Sequence, residues 1–273
     1  MVNSLSALGY SAELLRPSDV LQHLEPAIEF GPECTHVAYL PDEGFVFGAV
    51  AVGDVLRRAQ ATGAEIRLGE PVREVTTASQ RVRGVTLQSG EFIGADIVVA
   101  ASGTGTSDLV TQVGGVLPLV SPAQTKSPAV GLLVITKPAT IPLDRVLIAD
   151  ELMIRPDGGG RLILHGFAQD ELIDAATPAI PLPAAAETVM QLATRHLSGL
   201  EGTGIEAIRV GTRPLPVDDL PVVGWLPSLE GLYVMVTHSG VTLGPLLAEL
   251  ATSELMGRGE AQALASFRPD RFR

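Results

Sequence analysis

Residues 231–251 read Gly-Leu-Tyr-Val-Met-Val-Thr-His-Ser-Gly-Val-Thr-Leu-Gly-Pro-Leu-Leu-Ala-Glu-Leu-Ala, and they constrain the fold more than any other stretch. Leu232 to Val236 is an apolar run of strand type, Thr237 to Gly240 is a tight polar turn, and Val241 onward has helical spacing. A strand, a small-residue turn and a helix in that order aim several backbone N–H groups at one point, with the positive end of the helix dipole behind them. Such a device holds an anion or a group that becomes anionic during reaction. A phosphate and a reduced flavin, whose negative charge sits around N1 and O2, are the two candidates. The plain alternative is a strand–turn–helix connection that holds nothing.

Other segments place this one in a family. Leu24-Glu25-Pro26 lies upstream of Tyr39-Leu-Pro-Asp-Glu-Gly44. Ala95-Asp-Ile-Val-Val-Ala-Ala-Ser-Gly103, Ile154-Arg-Pro-Asp-Gly158 and Gly211-Thr-Arg-Pro214 follow, and then Pro221-Val-Val-Gly224. In this order and spacing the chain resembles the D-amino-acid oxidase/glycine oxidase/sarcosine oxidase family of FAD-dependent amine oxidoreductases, over essentially its whole length. The resemblance implies FAD as cofactor and a small amino-acid or amine substrate. It sets Ser239, Gly240, Val241, Thr242 and Leu243 beside the pyrimidine edge of the flavin. Val72 falls where the family lays main chain against the adenine, and Ala101, Ser102 and Gly103 form the family's second approach to the dinucleotide.

The family opens with a strand and a Gly-x-Gly-x-x-Gly turn, followed by an acidic residue for the ribose. Met1 to Ser11 shows none of this. The nearest internal match, Gly103-Thr-Gly-Thr-Ser-Asp108, has Asp108 in place of the third glycine. No acidic residue appears at the expected distance of about 20 residues beyond it. The expectation is a chain without the N-terminal βαβ unit: half of a split enzyme that needs a partner chain, a cut or mis-assigned start, or a protein that has lost its cofactor. NAD-dependent dehydrogenation is disfavoured because no complete fingerprint is present.

The fold class expected is α/β (α+β), an incomplete FAD/NAD(P)-binding Rossmann-like domain interleaved with an antiparallel-sheet substrate domain. The first comprises residues 42–115 and 214–273, the second 1–41 and 116–213. Ser4 to Leu15 reads as helical, Ser18-Asp19 as the cap of a short helix from Val20 to Leu24, and Val46 to Ala61 as an amphipathic helix closed by Gly63. Its apolar side carries Val50, Val55 and Leu56. Glu65 to Leu68, Val72 to Thr77, Arg81 to Leu87 and Ile97 to Ala101 read as strands. Val130 to Ile135, Val146 to Ile148, Glu151 to Ile154 and Arg161 to Gly166 read as a second sheet. Ala184 to His196 is a helix with Ala186, Val189, Met190, Ala193 and Leu197 on its apolar face. Gly158-Gly159-Gly160 is a hairpin turn, and Pro-rich stretches at 178–183 and 214–227 mark passages between layers.

Arg213 is the first candidate for chemistry. A guanidinium meets a carboxylate with two parallel hydrogen bonds, and the resemblance makes Arg213 the anchor of the substrate carboxylate. The competing reading pairs it with Asp218 or Asp219 at the surface. His238, in the turn, either donates to the flavin or shapes the pocket; the competing reading is a satisfied turn histidine. His165 reads as a core histidine, Tyr39 as core packing with its hydroxyl satisfied, and Cys34 as a buried small hydrophobe that excludes any internal disulfide. No metal site is assigned. With 19 Lys and Arg against 31 Asp and Glu, a net charge of −12 argues against nucleic acid and against an anionic membrane surface. No apolar run reaches the length of a membrane span, and no secretory signal is apparent, so the cytoplasm is the expected location.

Overall fold

The computed structural model describes residues 2–124, 126–149, 151–173 and 182–272. The chain divides into two compact units, each made of two stretches: Met1–Ala51 with Ala123–Gly211, and Val52–Pro122 with Thr212–Arg273. In chain order, the first stretch holds α1 (Val2–Ala7), β1 (Glu13–Leu15), α2 (Pro17–His23) and β2 (Val37–Tyr39). Helix α3 (Gly48–Ala61) crosses the division and leads to β3 (Val72–Ala78), β4 (Arg81–Leu87), β5 (Phe92–Gly94), β6 (Val98–Ala100) and α4 (Thr106–Gln112). The return stretch carries β7 (Val130–Thr136), β8 (Leu147–Ala149), β9 (Leu152–Pro156), β10 (Leu162–Gly166), α5 (Phe167–Asp170), α6 (Leu182–Thr194) and β11 (Ile205–Thr212). Last come β12 (Val222–Trp225), β13 (Leu232–Val236) and α7 (Gly240–Leu255).

The first unit is a five-stranded sheet, ordered β11-β7-β10-β9-β8, with α6 packed on one face. Period-2 alternation explains the packing. Leu132 and Val134 of β7, Ile154 of β9 and Leu164 of β10 are completely buried and meet Ala186, Val189 and Ala193 of the helix. Burial of side chains this size stabilises by about 1.5–3 kcal/mol each, so this contact is the main source of the unit's stability. The Gly158-Gly159-Gly160 hairpin is as the sequence implies, with φ of 75°, 58° and 76°. The Asp157 amide donates to the Arg161 carbonyl across it at 2.9 Å.

The second unit holds the antiparallel meander β3-β4-β5 and a three-stranded sheet ordered β12-β13-β6. Strands β12 and β13 are antiparallel, whereas β13 and β6 are parallel. Its cores gather Val82, Val110, Leu232 and Val234 on one side and Tyr233, Leu247, Ala251 and Leu264 on the other. Beneath α7, Glu254 is the hub. Tyr233 Oη donates to it at 2.6 Å, the Ala261 amide at 2.7 Å and Arg268 Nη1 at 2.9 Å, fastening the C-terminal segment to β13.

Four local expectations need correction. Ser4 to Leu15 is not one helix. Gly9, at φ 78°, ends α1 with the Tyr10 amide on the Leu5 carbonyl at 3.0 Å, and Glu13–Leu15 instead pairs with Val37–Tyr39. The second helix starts at Pro17, and Asp19 grips the Arg16 guanidinium at 3.0 Å instead of capping. Glu65 to Leu68 is not a strand; Arg67 there is drawn to Glu91 at 2.9 and 2.8 Å, and the backbone finds no ladder. Cys34 is half-buried, with Sγ facing the His36 carbonyl at 3.6 Å. Strands β1, β2, β5, β11 and β12 lack strong alternation, so the sequence pattern does not announce them. Of the Pro-rich stretch at 178–183, residues 178–181 lie outside the described residues.

Candidate dinucleotide site

The parallel pair β6/β13 builds the site. Leu232, Tyr233 and Val234 stand opposite Val98, Val99 and Ala100. Both strands therefore run the same way, and the turns that follow them, Ala101–Gly105 and Thr237–Ser239, leave at the same end of the sheet. Each turn feeds a helix, α4 after β6 and α7 after β13. Two helix N-termini at the carboxyl ends of parallel strands is the geometry of a ligand crevice in open α/β sheets.

In the α7 turn the Ser239 amide donates to Thr237 Oγ1 at 3.1 Å, and the Leu243 amide to the Ser239 carbonyl at 2.8 Å. No side chain caps the helix. The N–H groups of Gly240, Val241 and Thr242 belong to the first turn, where no intrahelical acceptor exists. Gly240 and Gly244 have nothing within 4 Å of where a Cβ would stand, so the approach to these donors is open. Val241 is 70 % exposed, and Leu243 is half-buried. His238 is exposed, its Nδ1 3.2 Å from Ser239 Oγ.

Below the other turn, a groove of about 470 Å³ runs between β3/β4 and β6, with α4 along it. It brings Val72 together with the adjacent pair Ala101 and Ser102, which stands far from it in sequence. Gly103 begins the 3-10 turn above the groove at φ 61° and does not line it. Ser102 Oγ and Thr106 Oγ1 lie 3.2 Å apart and fix the turn. Gly105, Asp108, Leu109 and Gln112 also line the groove. Gly105 caps α4, and the i, i+3, i+4, i+7 spacing of the four puts them on one side of the helix, a signal that the sequence carries for Leu109 and Gln112.

Arg213 is half-buried in the segment that leaves β11, and it does not line the groove. Asp218, one of the two competing partners, accepts from Arg271 at both its oxygens, at 2.7 and 3.0 Å. That guanidinium, with the Leu220 amide, holds the Asp218 carboxyl below its ordinary value. His165 is a structural histidine in the first unit, Nε2 2.9 Å from Asp170 Oδ2 and its ring edge-on to Phe167. Tyr39 packs under the Arg145 guanidinium. No helix among the described residues is long and apolar enough to cross a membrane.

Comparison with known proteins agrees with the fold. The L-proline dehydrogenase of P. horikoshii superposes with a TM-score of 0.84 at 18 % identity, over 99 % of this chain and 71 % of that one. The glycine oxidase of Pseudomonas putida is 28 % identical over 65 % of this chain and 46 % of its own length. The tRNA 5-methylaminomethyl-2-thiouridine biosynthesis bifunctional protein MnmC of Methylibium petroleiphilum is 29 % identical over 68 % of this chain and 28 % of its own length. The chain thus spans less than half the length of these two curated relatives. Residues 2–254 match the family described as FAD dependent oxidoreductase, DAO, and the chain belongs to that family.

Proposed function

We propose that this chain is part of an FAD-dependent oxidoreductase that oxidises the C–N bond of an amino acid or secondary amine. The observation that carries the reading is the parallel β6/β13 pair, which delivers two turns and two helix N-termini to one end of a sheet. The residues fit the cofactor. The uncapped α7 turn offers Gly240, Val241 and Thr242 N–H groups to an electron-rich edge, and the valine-lined groove with its polar rim suits a nucleoside. When bound, FAD supplies the hydride acceptor. Ser239 to Leu243 then hold the pyrimidine edge, and Val72, Ala101, Ser102 and Gly103 hold the adenosine side. Arg213 anchors a substrate carboxylate through its two-pronged fork, and His238 donates to the flavin edge or shapes the pocket beside it. No residue here is assigned as a base, because a neutral amine needs none before hydride transfer.

The alternative is a subunit that holds FAD only with a partner, or a non-catalytic relative. Exposure of Ile97 at 45 %, just before β6, and of Val99 at 41 %, on that parallel strand, favours it. One experiment separates the readings. The purified chain is titrated with FAD by flavin fluorescence, then supplied with FAD and glycine, sarcosine, proline or a simple alkylamine while imine hydrolysis products are followed. Saturable FAD binding with turnover of a carboxylated amine supports the first reading. No FAD binding by the purified chain alone supports the alternative, and saturable FAD binding without turnover of any of these amines counts against both readings.

A further inference from the structure

We propose that Arg271 is a positioning residue for Arg213, acting through Asp218 to set where that guanidinium stands and so how tightly a substrate carboxylate is held. This role rests on the reading of Arg213 as the carboxylate anchor and adds the device that aims it. All the residues concerned belong to the second unit. Arg213 heads a stiff rod, Arg213-Pro-Leu-Pro-Val-Asp-Asp-Leu-Pro221, in which each of the three prolines fixes its φ at about −65°. The Leu215 amide donates back to the Arg213 carbonyl at 2.9 Å, a three-residue turn about Pro214 that ties Arg213 to the rod. The rod then lies along residues 118–120. The Val120 amide donates to the Leu215 carbonyl at 2.8 Å, and the Val217 amide to the Pro118 carbonyl at 3.2 Å. Beyond this contact the Asp219 amide closes a turn on the Pro216 carbonyl at 3.0 Å.

Arg271 grips the far end of the rod on both sides of a strained residue. Asp219 sits at φ 62°, in the left-handed region, where a non-glycine residue persists only if its surroundings hold it. Nε and Nη2 of Arg271 donate to the Asp218 carboxylate before it, at 2.7 and 3.0 Å. Nη2 donates also to the Leu220 carbonyl after it, at 3.1 Å. Exposed ion pairs contribute little, but this one is a two-pronged fork with a third bond, and the Arg271 side chain is only 19 % exposed. Arg271 is itself held. Its Nη1 donates to the Arg268 carbonyl at 3.2 Å, and its guanidinium lies 4.4 Å from the centre of the Phe272 ring, which packs against the core of Leu232 and Val234. Without the fork, Asp219 relaxes and the turn from Pro216 opens. A rod this stiff pivots on the 118–120 contact instead of absorbing the change, so Arg213 moves at its other end.

Arg213 itself is the readout, in the full chain with and without FAD. Its Nε–Hε resonance, assigned by its loss in Arg213→Lys, is followed by NMR in Arg271→Gln, Arg271→Lys and Asp218→Asn. Arg271→Gln and Asp218→Asn should shift and broaden it, and Arg271→Lys, which keeps the charge and one prong, should do so less. Arg67→Gln removes a comparable two-pronged pair, with Glu91 at 2.9 and 2.8 Å, and should leave the resonance where it is. Acetate, the simplest carboxylate, is titrated against the same proteins. Its dissociation constant should rise about fivefold in Arg271→Gln, and no further when Arg271→Gln is added to Arg213→Lys, the non-additivity of two residues that act at one point. An Arg213 resonance unmoved in Arg271→Gln and Asp218→Asn overturns the proposal even if the melting temperature falls, because the pair is then a structural clamp alone. If Arg271→Gln does not fold, Arg271→Lys and Asp218→Asn decide by the same shift. A resonance that moves while Arg213→Lys leaves acetate binding unchanged supports the positioning by Arg271 and removes the carboxylate-anchor reading.

Discussion

Ala100 and Val234 stand opposite each other in parallel register, so the turns after β6 and β13 open at the same end of one sheet. Everything proposed about the cofactor depends on that pairing. It depends in turn on how closely the start of β13 approaches the loop before β6.

Gly231 is the point of approach. It sits at φ 88°, and a Cβ there would lie 2.5 Å from the Asp96 carbonyl oxygen. Gly231→Ala therefore brings both left-handed strain and a backbone clash that only a shift of the two strands relieves. A loss of about 1–3 kcal/mol in urea unfolding is expected, together with weaker FAD binding. Unchanged stability would mean that the strands are not held at this distance.

Much of this was legible in the sequence, for identifiable reasons. β13, the turn and α7 were legible because an apolar run, small polar residues and helical spacing all agree in one short window. The β7 to β10 sheet and α6 were legible from Leu and Val periodicity. By contrast, Glu13–Leu15 was hidden because its pairing partner, Val37–Tyr39, lies beyond a helix. Exposure of the α3 stripe was also hidden: Val55 reads as a core position, and only the packing shows that nothing described covers it. The groove lay in the sequence as four scattered segments, which only strand register brings together.

The Glu254 cluster makes a stability prediction. Burial works to raise the Glu254 pKa, but hydrogen bonds from Arg268, Tyr233 and the Ala261 amide outweigh it and hold the carboxyl below its ordinary value. The folded-state pKa is thus depressed. The stabilisation is present above the ordinary glutamate range and is lost as pH falls through the lower folded value. Tyr233→Phe should cost about 1–2 kcal/mol. Arg268→Ala, which leaves a buried carboxylate without its cation, should cost about 3–5 kcal/mol at neutral pH. Both costs should shrink in acid, as read by thermal or urea unfolding at stepped pH.

Arg213 is tested by geometry, not charge. In any form that turns over, Arg213→Lys should raise KM for a carboxylated amine by the equivalent of about 2–3 kcal/mol and leave flavin absorbance intact. Arg213→Ala should be worse. Wild-type kinetics in both variants would make Arg213 a structural residue. A preference for amines with no carboxylate would remove the amino-acid assignment and keep the flavoenzyme.

The uncapped N-terminus of α7 gives the most direct test, because helix stability and anion binding respond there in opposite directions. Val241 is 70 % exposed in the first turn, so Val241→Asp adds a carboxylate where the helix dipole favours it. The fold should gain about 0.3–1 kcal/mol. The same charge repels an electron-rich flavin edge, so the FAD dissociation constant, measured by fluorescence titration at low salt, should rise about tenfold or more, equivalent to about 1.4 kcal/mol. A variant that is as stable as the parent or more so and binds FAD more weakly is the predicted result. Unchanged FAD affinity in that stable variant would contradict the claim that this turn holds the flavin.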